Sequence, residues 1–175
     1  MLRMIKMPDE NQKIRKREEI ARLAERLHRE GKKIVTCNGS YDLLHIGHIK
    51  FLQEARAQGD VLIVGVNSNA SVKKYKGKNR PIVDELMRAE GVAALQCVDY
   101  VVIMDEAEIA VPLVKMVKPD VHVNGEEYGK DCIEAPAVKE AGGRLHLVKK
   151  VPGFSTTELI GRIVTIFGKN KTNNK

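Results

Sequence analysis

From Ile34 onward, short apolar runs alternate with stretches in which apolar residues recur every three or four positions. The runs 33–37 (KIVTC), Val61–Asn67 (VLIVGVN), Tyr100–Met104 (YVVIM), 121–124 (VHVN) and Arg144–Val148 (RLHLV) are short and β-rich, and they predict five strands. The stretches 46–57, 83–95, 108–117, 133–141 and Thr156–Phe167 carry helical periodicity. Such alternation predicts an α/β fold: a doubly wound parallel five-stranded sheet with right-handed crossovers. Ahead of it, 13–30 places Ile20, Leu23, Ala24 and Leu27 on one helical face, with Gly31 where a C-cap would end the helix. This leading helix is expected on the sheet edge or against a second subunit. The chain therefore reads as an amphipathic helical extension (1–31), a single domain (32–168) and a flexible basic tail (169–175), with no internal repeat.

Composition narrows the class. A length of 175 residues suits one domain, and 43% hydrophobic with 30% charged residues is a globular balance. There is no apolar run of eighteen, and the N-terminal segment has no apolar core of a secretory signal, so a cytoplasmic protein without membrane contact is expected. Cys37, Cys97 and Cys132 are odd in number and widely spaced, which fits reduced thiols in or near the core. The net charge of +7 sits at the ends: residues 1–33 carry 11 basic and 6 acidic residues, 169–175 carry 3 and 0, and the body between is at −1. With 4% aromatic residues and no basic folded face, nucleic acid is excluded as the expected partner.

In a Rossmann-like sheet, ligands sit beyond the carboxyl ends of the strands where strand order reverses. After the first strand comes Asn38-Gly39-Ser40-Tyr41-Asp42-Leu43-Leu44-His45-Ile46-Gly47-His48. Gly39 permits a tight turn, and Gly47 admits another group close to the backbone where a helix starts. Free N–H groups and the positive end of the helix dipole there suit a phosphate. His45 and His48, three apart, face one side and can each donate to an oxygen that gains charge in a transition state. Two other readings stay open on the residues alone. One is a metal site using His45 and His48 with Cys37 or Asp42, which lacks a second Cys/His pair; the other is a pair of core histidines. A dinucleotide fingerprint is absent, since the turn has no GxGxxG.

The segment resembles the HxGH signature of the nucleotidyltransferase superfamily. The likeness continues through Lys76-Gly77-Lys78-Asn79-Arg80-Pro81, Arg88, 94–102 (ALQCVDYVV), 123–128 (VNGEEY) and 153–157 (GFSTT), in the order found in heptose 1-phosphate adenylyltransferases of the cytidylyltransferase-like family. It spans about 32–168. Two departures stand out. Ser40-Tyr41 replaces a frequent Cys-Phe, and Lys150-Val151-Pro152-Gly153 replaces the Arg-Thr-Glu-Gly approach of many cytidylyltransferases, which weakens a cytidine reading. No KMSKS-like loop supports a synthetase.

The resemblance implies attack by a phosphate oxygen on the α-phosphorus of a nucleoside triphosphate. It implies catalytic roles for His45, His48, Lys76 and Arg88, and nucleotide or phosphate contacts from Asn38, Gly39, Ser40, Tyr41, Gly47, Asn124, Gly125, Glu127, Ser155, Thr156 and Thr157. Mg²⁺ is the implied cofactor, bound through phosphates and not by a protein cage. The implied partners are ATP (or CTP), a sugar or alcohol phosphate, a second copy in a homodimer, and a separate sugar kinase in the pathway. The implied product is ADP-heptose. The alternatives are a cytidylyltransferase of glycerol 3-phosphate and a nucleotide-binding regulator without turnover. On the residues themselves, Lys73, Lys74, Lys76, Lys78 and Arg80 read either as a solvated mobile loop or as a lid over the phosphates. Arg88 has a surface ion pair as its plain alternative, and Ser155 with Glu158 a plain helix cap.

Overall fold

In the computed structural model, which describes residues 13–105 and 110–168, all five strands form where the apolar runs predict them. They are β1 (Ile34–Gly39), β2 (Val61–Asn67), β3 (Tyr100–Met104), β4 (Val121–Gly125) and β5 (Arg144–Val148). The sequence readings for 1–12, 106–109 and the tail 169–175 lie outside the described residues. The strands pair in parallel in the order β3-β2-β1-β4-β5, so the winding reverses between β1 and β4. Valine and isoleucine fill these strands because both faces of the sheet are covered, and a parallel sheet of this kind reads as apolar runs.

One face carries Val35, Cys37, Leu62, Val64, Val66, Val101, Val121 and Val123. Over it lie α2 (Ile46–Arg56), through Leu52 and Ala55, and α4 (Glu85–Ala93), through Ala89, Val92 and Ala93. The other face carries Ile34, Ile63, Val102 and Met104 under α1 (Arg17–Arg29) and α5 (Ala110–Val117). The residues Ile20, Ala24 and Leu27 of α1 are buried on this face, against α5, β1 and the edge strand β3. The α1 helix ends as expected, with Gly31 in the left-handed region at φ 68°. Segment 13–15 adds to the β3 edge through Arg15 N–H to Val101 O and Val101 N–H to Lys13 O.

Three remaining helices complete the fold: α3 (Asn69–Lys76), α6 (Ala135–Glu140) and α7 (Thr156–Phe167). The α3 helix corrects the sequence reading, which had its lysines in a loop. Ser68 caps it by accepting from Ser71 N–H at 3.1 Å, and Lys73, Lys74 and Lys76 lie on helix. Only Ser71 and Val72 are buried in its eight residues, so no apolar stripe announces it. Lys78 and Arg80 follow in the loop before α4. Among the described residues no helix is long and apolar enough to cross a membrane.

Candidate functional site

The reversal between β1 and β4 opens at the carboxyl ends of the strands, where the turn after β1 leads straight into α2. His45 is the N-cap of that helix and His48 lies in its first turn. Their rings stack with centroids 3.8 Å apart. The backbone decides which nitrogen carries each proton. Gly47 N–H donates to His45 Nδ1 at 3.1 Å, and His45 N–H donates to His48 Nδ1 at 3.4 Å. With Nδ1 accepting, each neutral ring keeps its proton on Nε2. His45 Nε2 is buried and has no hydrogen-bond partner. Burial pushes the His48 pKa down to about 3, helped by His45 and the Lys76 cation. Burial also lowers His45, with Lys150 acting in the same sense and Glu158 against it. Both rings are thus neutral donors at pH 7, held at the positive end of α2.

Gly47 is required by close approach. A Cβ there would sit 2.9 Å from His45 Cε1 and 3.0 Å from Phe154 O, so the histidine ring and the segment before α7 both lean on its bare backbone. Gly39 is pressed likewise by the Tyr41 ring at 3.2 Å.

Tyr41 corrects an expectation. Its side chain is turned into the core, with its hydroxyl 3.5 Å from Cys37 Sγ and its ring edge-on to His48, leaving only its backbone on the ligand side. The reason is the backbone itself: Tyr41 and Leu43 both adopt positive φ (47° and 52°), which turns Tyr41 and Asp42 inward. Arg88 is not a surface residue. It is 3% exposed, and its guanidinium donates to Val83 O at 2.9 Å, to Asn69 Oδ1 at 3.0 Å and to Ser40 O.

Asp42, which the sequence offered only as a possible metal ligand, is instead an internal anchor. It is fully buried and accepts from Arg80 Nε at 2.7 Å, Ile82 N–H at 3.0 Å and Val83 N–H at 3.0 Å. Burial alone would raise its carboxyl, but these N–H donors and the Arg80 charge outweigh it and hold the pKa below the ordinary value. Its own carbonyl accepts from Thr156 Oγ1 at 2.9 Å, which ties the start of α7 to the same turn. The available signal was chemical: a carboxylate inside an anion-binding turn calls for an internal cation.

The other expected residues fall as follows. Lys76 Nζ lies 3.1 Å from Ser40 Oγ. Much of its stem is exposed, yet the amine is partly desolvated, and this lowers its pKa together with the Arg80 charge. Ser155 caps α7 by accepting from Glu158 N–H at 3.2 Å, and Thr157 is exposed. Asn38 and Gly39 end β1, half-buried. Asn124 accepts from Gly125 N–H at 3.0 Å and donates to the buried Glu134 carboxylate at 3.3 Å, while the Glu127 carboxylate lies against Gly125. Glu134 was missed from sequence, since nothing in its spacing marks it as buried. The fold thus gathers one cluster, His45, His48, Ser40, Lys76 and Thr156 with Asp42 and Arg80. The 124–134 segment follows β4, with Tyr128 near enough to Tyr41 and Tyr75 to act on their hydroxyls. Among the described residues, no group of three or more His, Cys, Asp or Glu is arranged to hold a metal ion.

The sequence profile of a family described as cytidylyltransferase-like matches residues 36–170. The chain is 45% identical over 162 residues to the bifunctional protein HldE of Geobacter metallireducens, covering 92% of this chain and 33% of that protein. It is 51% identical over 154 residues to the bifunctional protein HldE of Aliarcobacter butzleri, covering 87% and 31%. The chain therefore spans about a third of the length of the curated relatives it matches. Among solved structures, the lipopolysaccharide core biosynthesis protein of Thermoplasma volcanium superposes with a TM-score of 0.56 at 31% identity, covering 69% of this chain and 98% of that one. A pantoate-beta-alanine ligase from Francisella tularensis superposes with a TM-score of 0.55 at 16% identity, covering 93% and 81%, a likeness of fold.

Proposed function

The chain belongs to the cytidylyltransferase-like family of nucleotidyltransferases, and from this premise we propose that it transfers the AMP part of ATP to D-glycero-β-D-manno-heptose 1-phosphate. Pyrophosphate leaves and ADP-heptose forms, for lipopolysaccharide core synthesis. The observation that carries the reading is the stacked histidine pair, whose Nε2–H donors are set by the backbone at the positive end of α2. Similarity to a lipopolysaccharide core biosynthesis protein supports a sugar phosphate as the acceptor.

A phosphate monoester has a second pKa near about 6 and is largely a dianion at neutral pH. Its oxygen attacks the α-phosphorus, the new P–O bond forms, and the bond to the bridging α–β oxygen breaks with its electron pair leaving on pyrophosphate. No proton moves, so no general base is needed. The work left to the protein is to align two anions and to stabilise the charge on the passing phosphoryl group. His45 and His48 donate from Nε2 to phosphate oxygens, and the start of α2 adds its N–H groups and dipole. Lys76 supplies a positive charge held beside Ser40. Thr156 fixes the turn that presents the histidines.

Mg²⁺ is the proposed divalent ion, which when bound would neutralise phosphate oxygens. The nearest buried carboxylate, Asp42, is already taken by Arg80 and two N–H groups, which fits an ion carried on the nucleotide. The acceptor must come from a sugar kinase. A cytoplasmic homodimer completes the proposal, its assembly read by light scattering.

The test is pyrophosphate release with Mg²⁺, pairing ATP or CTP with heptose 1-phosphate or glycerol 3-phosphate, and with His45→Ala as control. Release confined to ATP with the heptose phosphate, and lost by a factor of about 10²–10³ in the variant, is the expected result. Release with CTP and glycerol 3-phosphate would keep the mechanism and replace the substrates. Tight ATP binding with no turnover in any pairing would favour a regulator.

A further inference from the structure

Resting on the nucleotidyltransferase reading above, we infer that Arg80, aimed by Asp42, is the arginine that meets the nucleotide's phosphates, and that Arg88 instead builds the turn behind it. The two guanidinium groups differ in what they have left to give. Every nitrogen of Arg88 is engaged: Nε with Val83 O, Nη2 with Asn69 Oδ1 and Nη1 with Ser40 O, at 3% exposure. Each of its nitrogens thus already donates once inside the fold, and burial leaves the remaining N–H groups little access to a phosphate. Arg80 uses Nε on Asp42 at 2.7 Å, and its Nη2 is buried with no hydrogen-bond partner. A buried guanidinium nitrogen without an acceptor is costly unless an anion completes it.

The charge balance points the same way. Arg88 has Glu85 and Asp84 close enough to favour its charge, in addition to Asp42. Lys76 lies near Arg80 and Arg88 as well as Asp42, so this one carboxylate faces three cations and positive charge is in excess beside the histidines. Asp42 and Lys76 are both near enough to His48 to act on its charge, which places this excess at the histidine pair and not on the outer surface. A polyphosphate is the ligand chemistry that offsets two adjacent cations and accepts from a planar guanidinium at once.

Asp42 then acts through Arg80 as a positioning residue. Its two oxygens take Arg80, Ile82 N–H and Val83 N–H, so one carboxylate sets both the arginine's direction and the path of the loop that brings it. Its backbone carbonyl is held by Thr156. The arginine, the histidine turn and the start of α7 therefore share one anchor.

The test is calorimetric binding of ATP and of pyrophosphate to the full chain, which needs no acceptor, with melting temperature recorded for each variant. Arg80→Gln should weaken both ligands by about tenfold or more, because it removes a charge-assisted donor, and should also lower the melting temperature by uncovering the buried Asp42 carboxylate. Arg80→Lys should recover part of the loss, returning charge without the planar fork. Asp42→Asn should weaken ATP as Arg80→Gln does, and the double variant should be no weaker than Arg80→Gln alone, since both changes remove the same contact. A purely structural Asp42 would add its own loss. Arg88→Lys should register as a lowered melting temperature. The inference is overturned if Arg80→Gln binds ATP and pyrophosphate as the wild type does, or if the loss of affinity at unchanged melting temperature belongs to Arg88→Lys. If the wild-type chain itself binds neither ligand, the nucleotidyltransferase reading falls first and takes this inference with it.

Discussion

At His45 and His48 the pH response follows from what burial does to each ring. Both pKa values lie below the ordinary 6.5, so both rings are already neutral at pH 7, and raising the pH removes no donor. The expected kcat/KM is flat from about pH 7 to 9, a profile that reports the free enzyme. A fall on raising the pH through the ordinary histidine range would instead mean that an imidazolium does the work. Gly47→Ala tests the same pair sterically. The added Cβ would meet His45 Cε1 at 2.9 Å, and a displacement of that kind costs about 10²-fold in turnover with the fold intact by circular dichroism. The histidines and Gly47 were legible in sequence because residue type and spacing alone imply a donor pair on one helix start. Asp42 stood in the same segment and was not legible as an anchor, because its partners Arg80, Ile82 and Val83 come from about forty residues away.

At the level of elements, α7 and α3 teach opposite lessons. The bounds of α7 were readable in full, since Ser155 announces a cap and apolar residues recur after it. What no pattern announced is that Thr156, buried at the first turn, donates to Asp42 O at 2.9 Å and so locks the helix to the histidine turn. Thr156→Val keeps the shape and leaves that carbonyl without its donor. It should cost about 1–2 kcal/mol in urea denaturation, together with weaker ATP binding. Unchanged stability would show that the lock is idle. The α3 helix escaped the periodicity because it buries only Ser71 and Val72, and its lysines read as a solvated run. Placing Lys76 on a helix, and not on a free loop, is what brings its amine to Ser40.

Across the whole molecule, the buried residue His122 sets an acid limit on stability. It lies on β4, and its Nδ1 is 2.8 Å from Thr36 Oγ1 on the neighbouring strand β1; its Nε2 has no partner. Burial lowers its pKa to about 4. The unfolded chain therefore binds this proton first as pH falls below 6.5, while the folded chain resists until about 4. Stability from this group is complete above pH 6.5 and declines towards pH 4, by up to about 3 kcal/mol. Denaturant midpoints at pH 7 and pH 4.5 should show that loss in the wild type and a smaller one in His122→Gln. Equal losses would place the acid sensitivity elsewhere.

Five strands, the helices other than α3, and a phosphate-seeking turn after the first strand were readable from local pattern. Period, β-branching and the chemistry of His, Gly and Lys are properties of neighbouring residues along the chain. Strand order, and with it the reversal between β1 and β4, is a property of which surfaces bury each other. So too are the inward turn of Tyr41, the burial of Arg88 and the pairing of Asp42 with Arg80. These depend on desolvation and on hydrogen bonds between residues distant in the chain, which exist only once the sheet has closed.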